Sequence, residues 1–187
     1  MDKISRFEKV SPEQFKKDWI NCFSACPDKE IESIYNSIRL PKRATVGSAG
    51  YDFYSPIDMT LYYSNTVDCE KTYGLSSGTI TVPTGIRCNI KQGWLLQIYP
   101  RSSLGFKFGL HLANTVGIID GDYYFSENEG HIFVKIVIGS ECKKDIEIKK
   151  GQAFCQGILT PFGITYDDDT VNKRNGGLGS TDSFKKV

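Results

Sequence analysis

From Leu40 onward the chain loses any helical period and breaks into short β-prone runs separated by Gly, Pro, Asn and Asp. Thr79-Ile80-Thr81-Val82 is one run and Trp94-Leu95-Leu96-Gln97-Ile98-Tyr99 another. Ile132, Val134, Ile136 and Ile138 alternate along a third, and Ile146 and Ile148 alternate with charges in a fourth. Alternation at period two places one face of each strand against a core, and many short strands at close spacing mean an all-β sandwich or barrel. At 187 residues the chain is long enough for one domain with a core and short extensions.

The first forty residues read differently. Ser11-Pro12-Glu13-Gln14 is a helix start, with Ser11 as cap, Pro12 at the first helical position and Gln14 placed to complete a capping box. Phe15, Trp19, Ile20 and Phe23 then share a helical face. Cys26-Pro27-Asp28 breaks this helix, and Asp28 is positioned to cap a second, with the stripe Ile31, Ile34, Tyr35 and Ile38. A helical hairpin over residues 11–39 is expected, either packed on the β domain or presented to a partner.

Composition removes several function classes. The formal net charge is +1 and no dense Lys/Arg run occurs, against a nucleic-acid surface built on charge. Six cysteines stand at 22, 26, 69, 88, 142 and 155, with no CxxC pair and neither histidine near them. Reduced thiols in a cytoplasmic protein are expected, rather than a zinc site. The opening Met1-Asp2-Lys3-Ile4 does not read as a signal peptide, and no apolar run approaches a membrane span.

Five stretches carry chemistry. Gly117-Ile118-Ile119-Asp120-Gly121-Asp122-Tyr123 reads as a buried strand that ends in an acidic turn, placing a carboxylate where a rigid element meets a loop. Pro100-Arg101-Ser102-Ser103-Leu104-Gly105 joins a guanidinium fork, two hydroxyls and a glycine, the groups that polyphosphate binding needs. The others are Ala49-Gly50-Tyr51-Asp52-Phe53, Gly151-Gln152-Ala153-Phe154-Cys155-Gln156 and Arg174-Asn175-Gly176-Gly177-Leu178-Gly179-Ser180-Thr181. Each alone also fits a plain turn, a strand or a flexible tail.

Together, in this order and spacing, the five resemble the motifs of the trimeric dUTPase family, over Leu40 to Asp182. The resemblance implies a dUTPase-like jelly roll (β-clip) with a short N-terminal helical extension. It divides the chain into an extension over 1–39, a β domain over 40–164 and a flexible C-terminal arm over 165–187 that closes on the active site. It implies a homotrimer that hydrolyses dUTP to dUMP and pyrophosphate, Asp120 activating water for attack on the α-phosphorus. Mg²⁺ would be held by the substrate phosphates and water.

Substrate contacts implied by the resemblance are Arg101, Ser102, Ser103 and Gln156 at the phosphates. Asn114, Gly117 and Ile119 lie in the hairpin that reads uracil, and Tyr123 lies under the deoxyribose. Arg174, Leu178, Gly179, Ser180 and Thr181 belong to the arm, and Asp52 gives structural support to Arg101. The chain departs from the family in three ways. Leu178 stands where a stacking phenylalanine is usual. The arginine-to-glycine spacing is one residue short, so that Lys173 and Arg174 both stand for the terminal-phosphate contact. Insertions at 62–78 and 125–129 add surface that could dock a protein partner. A dCTP deaminase, the related alternative, requires a glutamate at the place held by Lys135.

Overall fold

The computed structural model describes residues 2–23, 26–63, 78–172 and 174. The architecture is all-β with helices at the N-terminus. Strand β1 (Ser5–Lys9) precedes α1 (Pro12–Phe23) and α2 (Asp28–Ser37), followed by β2 (Lys42–Arg43), β3 (Tyr51–Tyr54) and β4 (Met59–Leu61). Then come β5 (Thr79–Pro83), β6 (Ile86–Ile90), β7 (Trp94–Pro100), α3 (Ser102–Phe108), β8 (His111–Leu112) and β9 (Gly117–Ile119). A 3₁₀ turn (Gly121–Phe125) leads to β10 (Phe133–Val137), β11 (Ile146–Ile148) and β12 (Ala153–Pro161).

The largest sheet has the order β2-β3-β12-β7-β9, and β5-β10-β8, β1-β6 and β4-β11 form smaller ones. All pairings are antiparallel. The alternation read from sequence decides which faces turn inward. Ile132, Val134 and Ile136 are buried while Lys135 is exposed, and Ile146 and Ile148 are buried on either side of exposed Glu147. Leu96 and Ile98 of β7 meet Phe53 and Phe154 in the same apolar cluster.

That cluster also takes in Phe15, Trp19, Phe23, Ile31 and Ile34 from the helical hairpin. Each buried side chain of this size contributes about 1.5–3 kcal/mol relative to exposure, so the hairpin is part of the core packing. Ile20, expected on the same face, is 40% exposed. Ser11 does cap α1, accepting from the Gln14 N–H at 3.1 Å. Gln14 does not return the bond; its side chain donates to Asp18. The Ser11 N–H is satisfied instead by Glu129, 118 residues away, at 2.7 Å. Asp28 lies inside the first turn of α2 and makes no cap bond; it pairs with Lys16 at 2.7 Å. Strand β1 was not expected, and its pairing with β6 ties the chain's start into a sheet.

Candidate active site

Antiparallel pairing sets the first half of the site. β8 pairs with β10 and β9 with β7, so the turn between β8 and β9 spans two sheets. The turn is tight: Thr115 has φ 65°, and the Val116 N–H donates to the Asn114 carbonyl at 2.7 Å. Gly117 lies opposite Ile98, where an added Cβ would stand 3.2 Å from the Ile98 Cβ. Glycine therefore lets the hairpin approach β7 closely.

Strand β9 is not buried as its composition suggested. It is the edge of its sheet, and Ile118 is 51% exposed. A cleft on this side accounts for the exposure. A cavity of about 490 Å³ is walled by Thr81, Ile98, Leu112, Asn114, Gly117, Ile119, Phe133 and Lys135, with Asp120, Tyr123 and Arg174 also lining it.

Asp120 occupies the N-cap position of the 3₁₀ turn with extended backbone and a half-exposed carboxylate. The Arg174 guanidinium bridges this acid and its neighbour, with Nη2 2.5 Å from Asp120 Oδ2 and Nε 3.0 Å from Asp122 Oδ1. Asp122, which reads in sequence as a turn residue, is thus half of a two-carboxylate seat for Arg174. Tyr123 is only 7% exposed. Its hydroxyl donates to the His131 carbonyl at 2.7 Å and accepts from Asn128 Nδ2 at 2.8 Å. Burial pushes the Tyr123 phenol up from its ordinary value, so the hydroxyl keeps its proton.

A second cluster forms where β3, β12 and the end of β7 meet α3. Arg101 donates to Asp52 at 2.5 Å and stands at the N-cap position of α3, with Ser102 and Ser103 exposed in its first turn. Gln156 lies between Asp52 and Tyr99 in the sheet register, and its Nε2 donates to the Pro100 carbonyl at 3.2 Å. None of Arg101, Ser102, Ser103 and Gln156 lines the Asp120 cavity. The register shows why. Ile119 is opposite Leu96, which sets Asp120 beside Leu95, six residues from Arg101 along β7. At 3.3 Å per residue that is about 20 Å. Leu178, Gly179, Ser180, Thr181 and Lys173, and residues 64–77 of the first insertion, lie outside the described residues.

A family model described as dUTPase matches residues 36–182. The chain belongs to the dUTPase family. The deoxyuridine 5'-triphosphate nucleotidohydrolase of Lactococcus lactis subsp. lactis is 36% identical over 148 residues, covering 77% of this chain and 88% of that protein. The Dictyoglomus turgidum enzyme of the same name is 34% identical over 156 residues, covering 81% and 95%. Among solved structures, the dUTPase from Streptococcus mutans aligns with a TM-score of 0.57 and 28% identity, over 85% of this chain and 97% of that one. The jelly roll of the dUTPase family is thus the fold of this chain, and the match begins at residue 36, inside α2.

The sequence motifs located Asp120, Tyr123 and the β8–β9 turn, but not Thr81, Ile98, Leu112 or Phe133. Those reach the cavity through pairing across the sheets, which no local pattern announces. Lys135, which in sequence stands where a deaminase needs glutamate, lines the cavity too.

Proposed function

We propose that this member of the dUTPase family hydrolyses dUTP to dUMP and pyrophosphate at Asp120. The observation that carries the reading is a half-exposed carboxylate lining a mostly apolar cavity with Tyr123 in its wall. Uracil enters between the β8–β9 turn and β7. Backbone groups around Asn114, Gly117 and Ile119 read its polar edge, and the close walls reject a thymine methyl group by sterics. The Tyr123 ring lies against the deoxyribose and leaves no room for a 2′-hydroxyl.

Asp120 orients a water and takes its proton as the oxygen attacks the α-phosphorus; the bond to the bridging oxygen breaks and pyrophosphate leaves. Ser102 and Arg101, with Ser103 and Gln156, bind the phosphate chain, and Asp52 fixes the Arg101 fork. Arg174, with Leu178, Gly179, Ser180 and Thr181, closes over the nucleotide. Among the described residues no group of three or more His, Cys, Asp or Glu is arranged to hold a metal. A Mg²⁺ carried on the triphosphate and its waters would supply charge neutralisation on the phosphates.

Ser102 and Asp120 must both act at the α-phosphate, yet about 20 Å of strand separates them along one chain. The site therefore needs a second copy to bring a phosphate cluster to an Asp120 cavity, which supports the homotrimer. The division into 1–39, 40–164 and 165–187 stands on the same reading, with the first segment packed into the core of the second.

The test is pyrophosphate release from dUTP, dCTP, dTTP and UTP by the parent and by Asp120→Asn. The parent should act on dUTP alone among the four at low concentration. Asp120→Asn should fold and bind dUTP while losing about 10²–10⁴ in turnover, the range for general-base chemistry. Unchanged turnover in Asp120→Asn moves the base elsewhere.

A further inference from the structure

Tyr123 is held by a turn that the family motifs do not include. Residues 126–131 fold back over the tyrosine: the Ser126 N–H donates to the Tyr123 carbonyl, Glu129 N–H to the Ser126 carbonyl, and His131 N–H to the Asn128 carbonyl. Glu129 and Gly130 take left-handed backbone, with φ 57° and 71°. An added Cβ at Gly130 would stand 2.7 Å from the Tyr124 Cα, so the turn presses directly on the tyrosine segment. Asn128 lies at its centre. The Tyr123 hydroxyl donates to the His131 carbonyl, and the Asn128 amide nitrogen faces the same hydroxyl and donates to it. The Asn128 oxygen faces the Ser126 hydroxyl at 2.7 Å, whose one proton is shared with the Tyr123 carbonyl at 2.6 Å.

The same turn is fastened to α1 at two points. Glu129 accepts from both the N–H and the hydroxyl of Ser11, at 2.7 and 2.6 Å. Fully buried His131 accepts the Gly85 N–H at Nε2, so Nδ1 carries its proton and donates to Asp18 at 2.6 Å. The tyrosine hydroxyl, Asn128, the turn and the N-terminal helix are therefore one hydrogen-bonded body.

We propose that Asn128 is a positioning residue for sugar selection, holding the Tyr123 ring where it excludes a ribose 2′-hydroxyl, with α1 as the support behind it. This rests on the reading of Tyr123 as the deoxyribose contact. A ring whose hydroxyl keeps only its bond to the His131 carbonyl can shift about χ1 and χ2 and open space at the sugar. The consequence falls on the choice between UTP and dUTP, not on the chemical step at Asp120.

The experiment compares kcat/KM for UTP and dUTP in the parent, Asn128→Asp, Asn128→Ala, Tyr123→Phe and Tyr123→Ala, with a melting temperature for each. Asn128→Ala removes the bond; Asn128→Asp offers the tyrosine proton a carboxylate instead, and serves as the arm that can re-tether the ring. Loss of the Asn128 bond, one of the two that hold the hydroxyl, should raise the UTP to dUTP ratio about tenfold in Asn128→Ala and less in Asn128→Asp. Tyr123→Phe, which removes both bonds, should raise it at least as far, and adding Asn128→Ala to it should change nothing more. An unchanged ratio in a folded Asn128→Ala, while Tyr123→Ala raises it, overturns this proposal and leaves Tyr123 as the sugar contact. Equal losses on both substrates with a lowered melting temperature also overturn it, since they report support of the fold alone. Should Tyr123→Ala itself leave the ratio unchanged, the sugar reading falls and this proposal with it.

Discussion

Asp18→Ala should cost the protein about 2–3 kcal/mol of folding stability, most of it from one bond. Asp18 is 7% exposed on the inner face of α1 and accepts from His131 Nδ1 at 2.6 Å and from Gln14 Nε2 at 2.7 Å. Gln14 is half-buried and can turn to water when the carboxylate is removed. His131 is fully buried, and its Nδ1–H would lose the acceptor it has. A hydrogen bond to a charged group contributes about 1.5–3 kcal/mol, and a buried donor left unpaired forfeits that in full. Asp18→Asn keeps an acceptor oxygen and should cost about 1 kcal/mol. Urea unfolding at one fixed protein concentration measures both, the fixed concentration holding the contribution of assembly equal between them.

The pH dependence has a definite sign. Burial alone would raise the Asp18 carboxyl, but the hydrogen bonds from His131 and Gln14 outweigh it and hold the group below its ordinary value of 3.8. A carboxyl lowered on folding contributes stability that is fully present above the unfolded value and lost as pH falls through the folded one. The gap between parent and Asp18→Asn should hold steady through neutral pH and shrink below 3.8. Asp18→Ala within about 0.5 kcal/mol of the parent would refute the account, because that is the range of an ordinary surface change.

Two further outcomes are expected. Native light scattering should give a trimer, and a monomer that turns over dUTP at full rate would remove the need for a second copy inferred from the spacing of Arg101 and Asp120. Ending the chain after Thr170 should leave the melting temperature nearly unchanged yet cut turnover far more than it weakens dUMP binding. Arg174→Ala should reproduce most of that loss and Lys173→Ala little of it; a truncated protein as fast as the full chain would make the arm dispensable.

What was legible in the sequence was what is local. The alternation of Ile132, Val134 and Ile136 gave the inward face of β10 because a strand's side-chain period needs no partner to be read. Ser11 was recognisable as a cap by its own chemistry. Its second partner was not, since Glu129 reaches it only after the chain has crossed the fold. β1 escaped because Ser5-Arg6-Phe7-Glu8-Lys9 shows little apolar alternation, and its strand character comes from pairing with β6, Phe7 opposite Cys88. The β-branched run at Ile118-Ile119 announced a strand correctly and its burial wrongly, because hydrophobicity does not distinguish a core from the wall of a cleft. In the site, the motifs brought out Asp120, Tyr123 and Arg101. Asp122 and Asn128 look like turn residues until Arg174 and the Tyr123 hydroxyl are set against them.

The seat of Arg174 on Asp120 and Asp122 bears on how an anionic substrate reaches an acidic turn. Two carboxylates within three residues would repel a triphosphate, and repulsion is strongest where the site is half-shielded from water. One guanidinium bridging both reduces that charge before substrate arrives. On the proposed reading the same guanidinium is then claimed by the terminal phosphates, which carry more charge than the two acids and match the planar fork equally well. Its departure leaves the Asp120 oxygen that it had occupied free to accept a proton from water. On that reading, release of Arg174 from its seat and readiness of the base are one exchange of partners. Neutralising Asp122 alone would weaken the hold on Arg174 without touching the base, which separates the seat's role from that of Asp120.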